Sequence, residues 1–196
     1  MSETLFGLDV FASPVIYKDF VSGKMINDYE IVHDELQPSA KFRELVDHLD
    51  TYRQLYALLG FEIRTLNNQA FFVTRDDTDE EYSELAANIQ VILTVIARGL
   101  YGLGLGPGML TDPSAGLSAE QINQIGELEQ QNTILKACGI RLPLVESVNV
   151  QLVNRGIMFK TKNERYVLSS AGKYLFEEIS IQTQPSSEST ATANGN

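Results

Sequence analysis

The stretch PLVESVNVQLVNRGIMFKTKNERYVLSSAGKYLFEEIS, residues 143–180, decides the fold. It reads as a helix, a two-stranded hairpin and a closing helix. Pro143 suits a first helical position, where its missing N–H costs nothing. Val145, Val148 and Leu152 recur at three and four residues and share one helix face. Gly156 can take the left-handed conformation that ends a helix. Alternation follows: Ile157 and Phe159 point one way, Met158 and Lys160 the other. Lys162, Asn163 and Glu164 make a polar turn, and Tyr166 and Leu168 continue the alternation on the returning strand. Ser169 or Ser170 can cap a final helix whose Leu175 and Ile179 face inward.

A helix followed by a hairpin is the ending of a winged-helix module. In DNA-binding members the helix enters the major groove and the hairpin lies beside it. The same module also serves as a protein–protein adaptor. Upstream, the pattern occurs a second time. Residues 1–12 are apolar without a period and read as an arm. Ser13-Pro14 starts a helix that carries Ile16 and Phe20 inward to about Val21. Lys24-Met25-Ile26 is a short strand, and Asn27 or Asp28 caps a second short helix through about Leu36. Pro38-Ser39 opens a third, in which Phe42, Leu45, Val46, Leu49, Tyr52, Leu55, Tyr56 and Leu59 repeat at helical spacing until Gly60. Phe61 and Ile63, a turn at Asn67-Asn68, and Ala70 to Thr74 complete a hairpin.

Thr78 and Glu81 then form a capping box before a long helix reaching about Tyr101. Tyr82, Leu85, Ala86, Ile89, Ile92, Leu93, Ile96 and Leu100 make one stripe, and Val91 and Val95 give it a second apolar side. A helix apolar on two sides has to bury both. One side packs on its own domain and the other needs a neighbouring domain or another chain. The fold expected is mainly α with small β-hairpins, an α+β protein of tandem winged-helix domains. The N-terminal domain spans 1–76, the connecting helix and Gly-rich linker 77–117, and the C-terminal domain 118–181. The polar tail 182–196 lacks the apolar content to fold. A second capping box, Ser118 with Gln121, opens a short helix carrying Ile122 and Ile125. Another helix follows from about Glu127 to Ala137.

Composition narrows the function. The chain has 196 residues, 43% hydrophobic and 21% charged, as a core-forming protein does, with formal net charge −11. The charge is uneven: residues 1–132 carry −13 and residues 133–181 carry +3. An acidic body bearing one mildly basic module does not wrap nucleic acid over a whole face, but a local contact stays open. Arg155, Lys160, Lys162, Arg165 and Lys173 cluster around the second hairpin and are the candidates for sequence-independent phosphate contact. Glu164, Glu177 and Glu178 are at hand to balance them.

Catalytic and metal signatures are lacking. The two histidines, His33 and His48, lie on different expected elements and, with the single Cys138, make no zinc constellation. Cys138 reads as a small buried apolar residue in a reducing, cytoplasmic setting. The glycine-rich 99–116 has neither G-x-G-x-x-G nor a following G-K-[ST], so it is a helix end and connector. The acidic run 76–81 lacks calcium-loop spacing. HDEL at 33–36 is internal, and that signal is read only at a C-terminus. The start lacks a signal-peptide pattern, and no uninterrupted apolar run reaches the ~18 residues of a membrane span. No cofactor, no metal, no membrane partner and no enzymatic activity are expected.

Three stretches carry a family resemblance: FEIRTLNNQAFFVTRD at 61–76, EYSELAANIQVILTVIARGLY at 81–101 and LVNRGIMFKTKNERYVLSSA at 152–171. With the tandem order around them, the chain resembles the MukE/MksE group, the "kite" accessory subunits of bacterial condensins. Its length is nearer the leaner MksE type, and the subunits of plasmid-defence condensins are equally similar. The resemblance implies a non-enzymatic, nucleoid-associated homodimer held largely through the N-terminal winged helix. It implies binding to a kleisin of the MksF/MukF type and, through it, to an SMC ATPase of the MksB/MukB type. The activity implied is chromosome condensation and segregation, or plasmid defence. Phe71, Phe72, Ile89, Val91, Val95 and Ile96 are the candidate dimer and kleisin interface residues. The alternative is a winged-helix, sequence-specific transcriptional regulator, which requires several kcal/mol of discrimination between duplexes.

Overall fold

A computed structural model describes residues 4–5, 7–33, 35–75, 79–112 and 114–182. The chain opens not as an unpatterned arm but as a small hairpin, β1 (Thr4–Leu5) against β2 (Leu8–Asp9). Helix α1 (Ala12–Val21) follows. It starts before Ser13: Phe11 is the N-cap residue, and the Asp9 carboxylate accepts the N–H groups of Phe11 and Ala12 at 2.7 and 3.0 Å. Ser13 sits one turn in, its hydroxyl donating back to the Asp9 carbonyl at 2.6 Å. Those backbone donors, Ala12 first, hold the Asp9 carboxyl below the usual carboxylate range.

Strand β3 (Ile26–Asn27) comes where a short strand is expected. The helix expected from Asn27 or Asp28 to Leu36 is instead a hairpin, β4 (Tyr29–Val32) with β5 (Glu35–Pro38). Its register pairs Tyr29 with Pro38 and Ile31 with Leu36. The physical reason is a period of two: Tyr29, Ile31, Leu36 and Pro38 share one face, adjacent Ile31 and Val32 favour strand, and His33 turns the chain at φ +54°. The next expected helix is two helices, α2 (Ala40–Asp47) and α3 (Leu49–Leu58), broken at His48. Buried Leu45, Tyr52 and Tyr56 keep helical spacing across the break, so the periodicity carries no sign of it. Strands β6 (Glu62–Leu66) and β7 (Ala70–Thr74) form the expected hairpin, with Asn67 and Asn68 both at positive φ. The sheet order is β3-β7-β6. Ile16, Phe20, Ile26, Leu45, Tyr52, Tyr56, Ile63 and Phe71 make the core of this first module.

Helix α4 (Asp79–Gly102) is the long one. Beyond it lie α5 (Gly108–Thr111), β8 (Leu117–Ser118), α6 (Ala119–Glu127), α7 (Glu129–Ala137) and α8 (Leu144–Val148). The Ser118–Gln121 capping box forms with both its bonds. Pro143 is the residue before α8, not its first, and the helix widens into a π-helical turn at Asn149–Val153. Gly156, at φ +72°, ends it. Strands β9 (Met158–Lys160) and β10 (Arg165–Leu168) and helix α9 (Ser170–Gln182) complete the expected ending. The Ser169 hydroxyl caps α9 by accepting the Gly172 N–H at 3.1 Å.

The expected alternation on the returning strand gives way to Tyr166, Val167 and Leu168 buried together. The reason is β8: the sheet order is β8-β10-β9, so β10 is the central strand. Ile157 and Met158 are likewise both buried. The second core gathers Ile92, Leu93, Val95, Ile96 and Leu100 of α4 with residues of α6 to α9. Gly99 permits this closeness, since a Cβ there would stand 2.3 Å from an Ile125 methyl. The Thr78–Glu81 capping box, the acidic run 76–81 and the tail beyond Gln182 lie wholly or partly outside the described residues.

The two modules are keyed together by polar contacts. The Met25 N–H donates to the Arg155 carbonyl at 2.9 Å. Asn27 is 5% exposed; its amide donates to the Gly156 carbonyl at 2.8 Å and accepts the Ala171 N–H at 2.9 Å. Beside it the Ser170 hydroxyl donates to the Asp28 carboxylate. A Cβ at Gly156 would stand 2.6 Å from the Met25 carbonyl oxygen, so that glycine is needed both for its φ and for the contact.

Candidate functional site

The six residues expected at an interface divide into two groups. Phe71 packs on Phe42 with ring centroids 5.0 Å apart and is buried, and Val95 and Ile96 are fully enclosed in the second core. In the single chain these three fill its own cores. Phe72, Ile89 and Val91 are half-buried. Val91 leans on the second core, whereas Phe72 and Ile89 line a cleft between the modules.

That cleft encloses about 390 Å³. Phe20, Val21, Met25, Phe61, Phe72, Val73, Leu85, Ile89 and Ile157 supply its apolar wall, and Thr74, Arg75 and Arg155 bring polar groups to it. A neighbouring hollow of about 310 Å³ shares Met25, Ala86, Ile89 and Ile157, then runs on to Leu93, Leu175, Glu178 and Ile179. Together they form a trough beside the N-terminal half of α4. The Thr74 hydroxyl and the Arg155 Nε are buried and find no hydrogen-bond partner among the described residues. The Arg75 guanidinium lies over the Phe61 ring, 4.5 Å from its centroid.

The basic cluster also separates. Arg155 leaves the hairpin for the cleft. Lys160 and Lys162 stand exposed at the hairpin tip, while Arg165 and Lys173 are half-buried. Lys160 is paired with the Glu164 carboxylate and sits 5.6 Å from the Tyr166 ring centroid. The Glu164 hydrogen bond raises the Lys160 pKa above the ordinary lysine value.

Surplus apolar surface lies elsewhere than expected. The C-terminal half of α4 is covered, whereas α1 and α3 are not. Phe11 is 71% exposed and Leu58 85%, and Val15, Tyr17, Val21, Leu55 and Leu59 are all exposed. The two helices run side by side, joined by the Ser13–Tyr52 hydroxyl contact at 2.7 Å and the Phe20–Tyr56 ring contact at 5.4 Å. Leu55 and Leu59, read from spacing as inward, point outward because Tyr52 and Tyr56 occupy the buried face. Cys138, expected inside, is exposed.

The Glu84–Gly102 stretch of α4 has a mean hydropathy of 1.4, enough by length and composition to cross a membrane. Its buried Ile92, Leu93, Val95, Ile96 and Leu100 make it the core helix of the second module. Among the described residues no group of three or more His, Cys, Asp or Glu is placed to hold a metal ion.

The class defined by this geometry is a mixed α+β protein: two helix-and-hairpin modules with an apolar trough between them and an apolar helix pair on one flank. The chain belongs to the family of the condensin complex protein MksE, whose model matches residues 12–180. It is a condensin complex subunit, of a family that is generally non-catalytic. No curated protein matches the chain.

Proposed function

We propose that the chain is the dimeric, kleisin-binding accessory subunit of its condensin, coupling a kleisin of the MksF/MukF type and an SMC ATPase to nucleoid DNA. In this reading the modules are winged-helix domains, 1–76 and 118–181, with 77–117 connecting them and α4 lent to the second core. The observation that carries it is the exposed apolar row on α1 and α3, with Leu58 at 85% and Phe11 at 71%. Large apolar side chains left exposed on neighbouring elements point to an interaction site, and a self-complementary patch about a two-fold axis is the simplest way to cover them.

Phe72, Ile89 and Val91 remain candidates for partner contact. Phe71, Val95 and Ile96 would support such a surface from within. Lys160, Lys162, Arg165 and Lys173 keep the role of weak, sequence-independent phosphate contact. Co-expression with the kleisin and SMC subunits, followed by size-exclusion chromatography with light scattering, tests the reading. The expected result is a dimer of this chain in a stable assembly; a monomer that elutes apart from both subunits would refute it.

A further inference from the structure

We propose that the β4–β5 hairpin is a docking prong for a protein partner whose contact surface sets lysine or arginine beside aliphatic side chains. This rests on the reading of the chain as a partner-binding subunit and adds a surface outside the trough, with the chemistry of what meets it.

The two modules repeat one plan. Apart from α5 and α8, each runs helix, strand, helix, helix and hairpin: α1, β3, α2, α3, β6, β7 in the first and α4, β8, α6, α7, β9, β10 in the second. Their sheets are ordered alike, β3-β7-β6 and β8-β10-β9. Ser39 is then the counterpart of Ser118. Each caps the helix after the first strand, its hydroxyl accepting the N–H three residues on, at 3.4 and 3.1 Å. In the second module β8 passes straight into α6. In the first, residues 28–38 stand between β3 and the Ser39 cap. They leave and return at one spot, because the Ser39 N–H donates to the Asp28 carbonyl at 2.8 Å. The hairpin is an insertion that the shared plan does without.

Nor does it fill a core. None of its described residues belongs to either apolar cluster, and a lone two-stranded hairpin is marginal in water. Tyr29, Ile31, Leu36 and Pro38 share its apolar face, and Tyr29 and Leu36 are 42% and 40% exposed. Its base is nevertheless held. Glu30 meets Lys41 at 3.8 Å, Lys41 meets Asp19 at 2.7 Å, and the Asp28 carboxylate accepts the Ser170 hydroxyl. An uncovered face on a fixed base loses little freedom when it is bound.

Charge selects the occupant. Residues 29–38 hold Glu30, Asp34 and Glu35 and neither Lys nor Arg. Lys41 is shared between Glu30 and Asp19. Glu35 is exposed and has no cation within ion-pair distance among the described residues. That sign repels nucleic acid and the same hairpin of a second copy. It attracts a cationic protein surface, whose aliphatic part covers Tyr29 and Leu36.

A photo-reactive benzoylphenylalanine at Leu36, in the complex assembled with its kleisin and SMC subunits, would report the occupant by mass spectrometry. Adducts should fall at one site on those subunits, within a few residues of Lys or Arg. Glu35→Lys should cut their yield about fivefold or more, and reversing the mapped partner cation to glutamate should restore it. The Asp28–Ser39 bond is that of a two-residue turn. Replacing 29–38 by two glycines should therefore keep the melting temperature within about 3 °C and weaken binding of the mapped subunit about tenfold.

Adducts confined to this chain or to a second copy would overturn the proposal, as would a partner site without Lys or Arg. So would a yield indifferent to Glu35→Lys. A complex that assembles normally and gives no adduct at Leu36 sinks the prong and spares the proposed function. Failure of the unsubstituted chain to enter any complex sinks both.

Discussion

Leu58→Glu separates a surface role from a structural one. Leu58 is the last residue of α3 and 85% exposed, so a glutamate there displaces almost nothing in the monomer. Burying a leucine contributes about 1.5–3 kcal/mol. A two-fold axis brings the residue in twice, so losing both copies removes about 3–6 kcal/mol, doubling the single-leucine figure. That corresponds to a dimer Kd raised about 10²- to 10⁴-fold, before any cost of desolvating the carboxylates. Sedimentation equilibrium across micromolar concentrations reads this directly. The melting temperature at monomer-favouring dilution should stay within about 2 °C, as for other exposed surface changes. Val150→Glu, on the second module and 56% exposed, is the matching control and should leave the dimer intact. A Leu58→Glu chain with an unchanged Kd would show that α3 is not where copies meet.

Gly156→Ala should cost about 2–4 kcal/mol in a urea melt, from the positive φ and the 2.6 Å approach to the Met25 carbonyl oxygen. Lys160→Glu with Lys162→Glu should weaken DNA binding by the assembled complex and lower its salt slope by about two; an unchanged slope would leave the hairpin outside any DNA contact. Burial, above all, raises the Tyr52 hydroxyl to about 12 and pushes Tyr56 higher still. Both contribute stability that is whole below the unfolded tyrosine value of about 10. That stability is lost as pH rises from there through the folded values. Thermal melts between pH 8 and 12 should therefore fall most steeply above about pH 10, and Tyr56→Phe should flatten the fall.

Features set by a few adjacent residues were legible in the sequence, and features set by tertiary neighbours were not. The Ser118–Gln121 box, the Ser169 cap, the asparagine turn at 67–68 and the left-handed Gly156 each follow from local chemistry and stand where the sequence puts them. The β4–β5 hairpin was open to the same reading, since Tyr29 and Ile31 alternate, but an Asn-Asp cap outweighed it. Strand β8 is two residues long and exists only because β10 offers it an edge; no pattern that short can announce a strand. The outward turn of Leu55 and Leu59 was hidden because leucine and tyrosine are equally apolar at helical spacing. Only the packing on Phe20 and Ser13 decides which of them goes inside.

The trough was hidden for a different reason, and it follows from how the modules are joined. Each module has its own apolar core, while Asn27, Asp28 and the backbone of Met25 reach across to 155–156 and 170–171 through hydrogen bonds. Apolar packing is non-directional, but hydrogen bonds fix angle as well as distance. The polar key therefore sets the orientation of one module on the other, while Met25 and Ile89, packed against the second core, stay only partly buried along the seam. Arg155 shows the same effect at one residue. Its carbonyl is spent on Met25, which holds its side chain at the seam and takes it out of the basic hairpin that sequence proximity assigns it to.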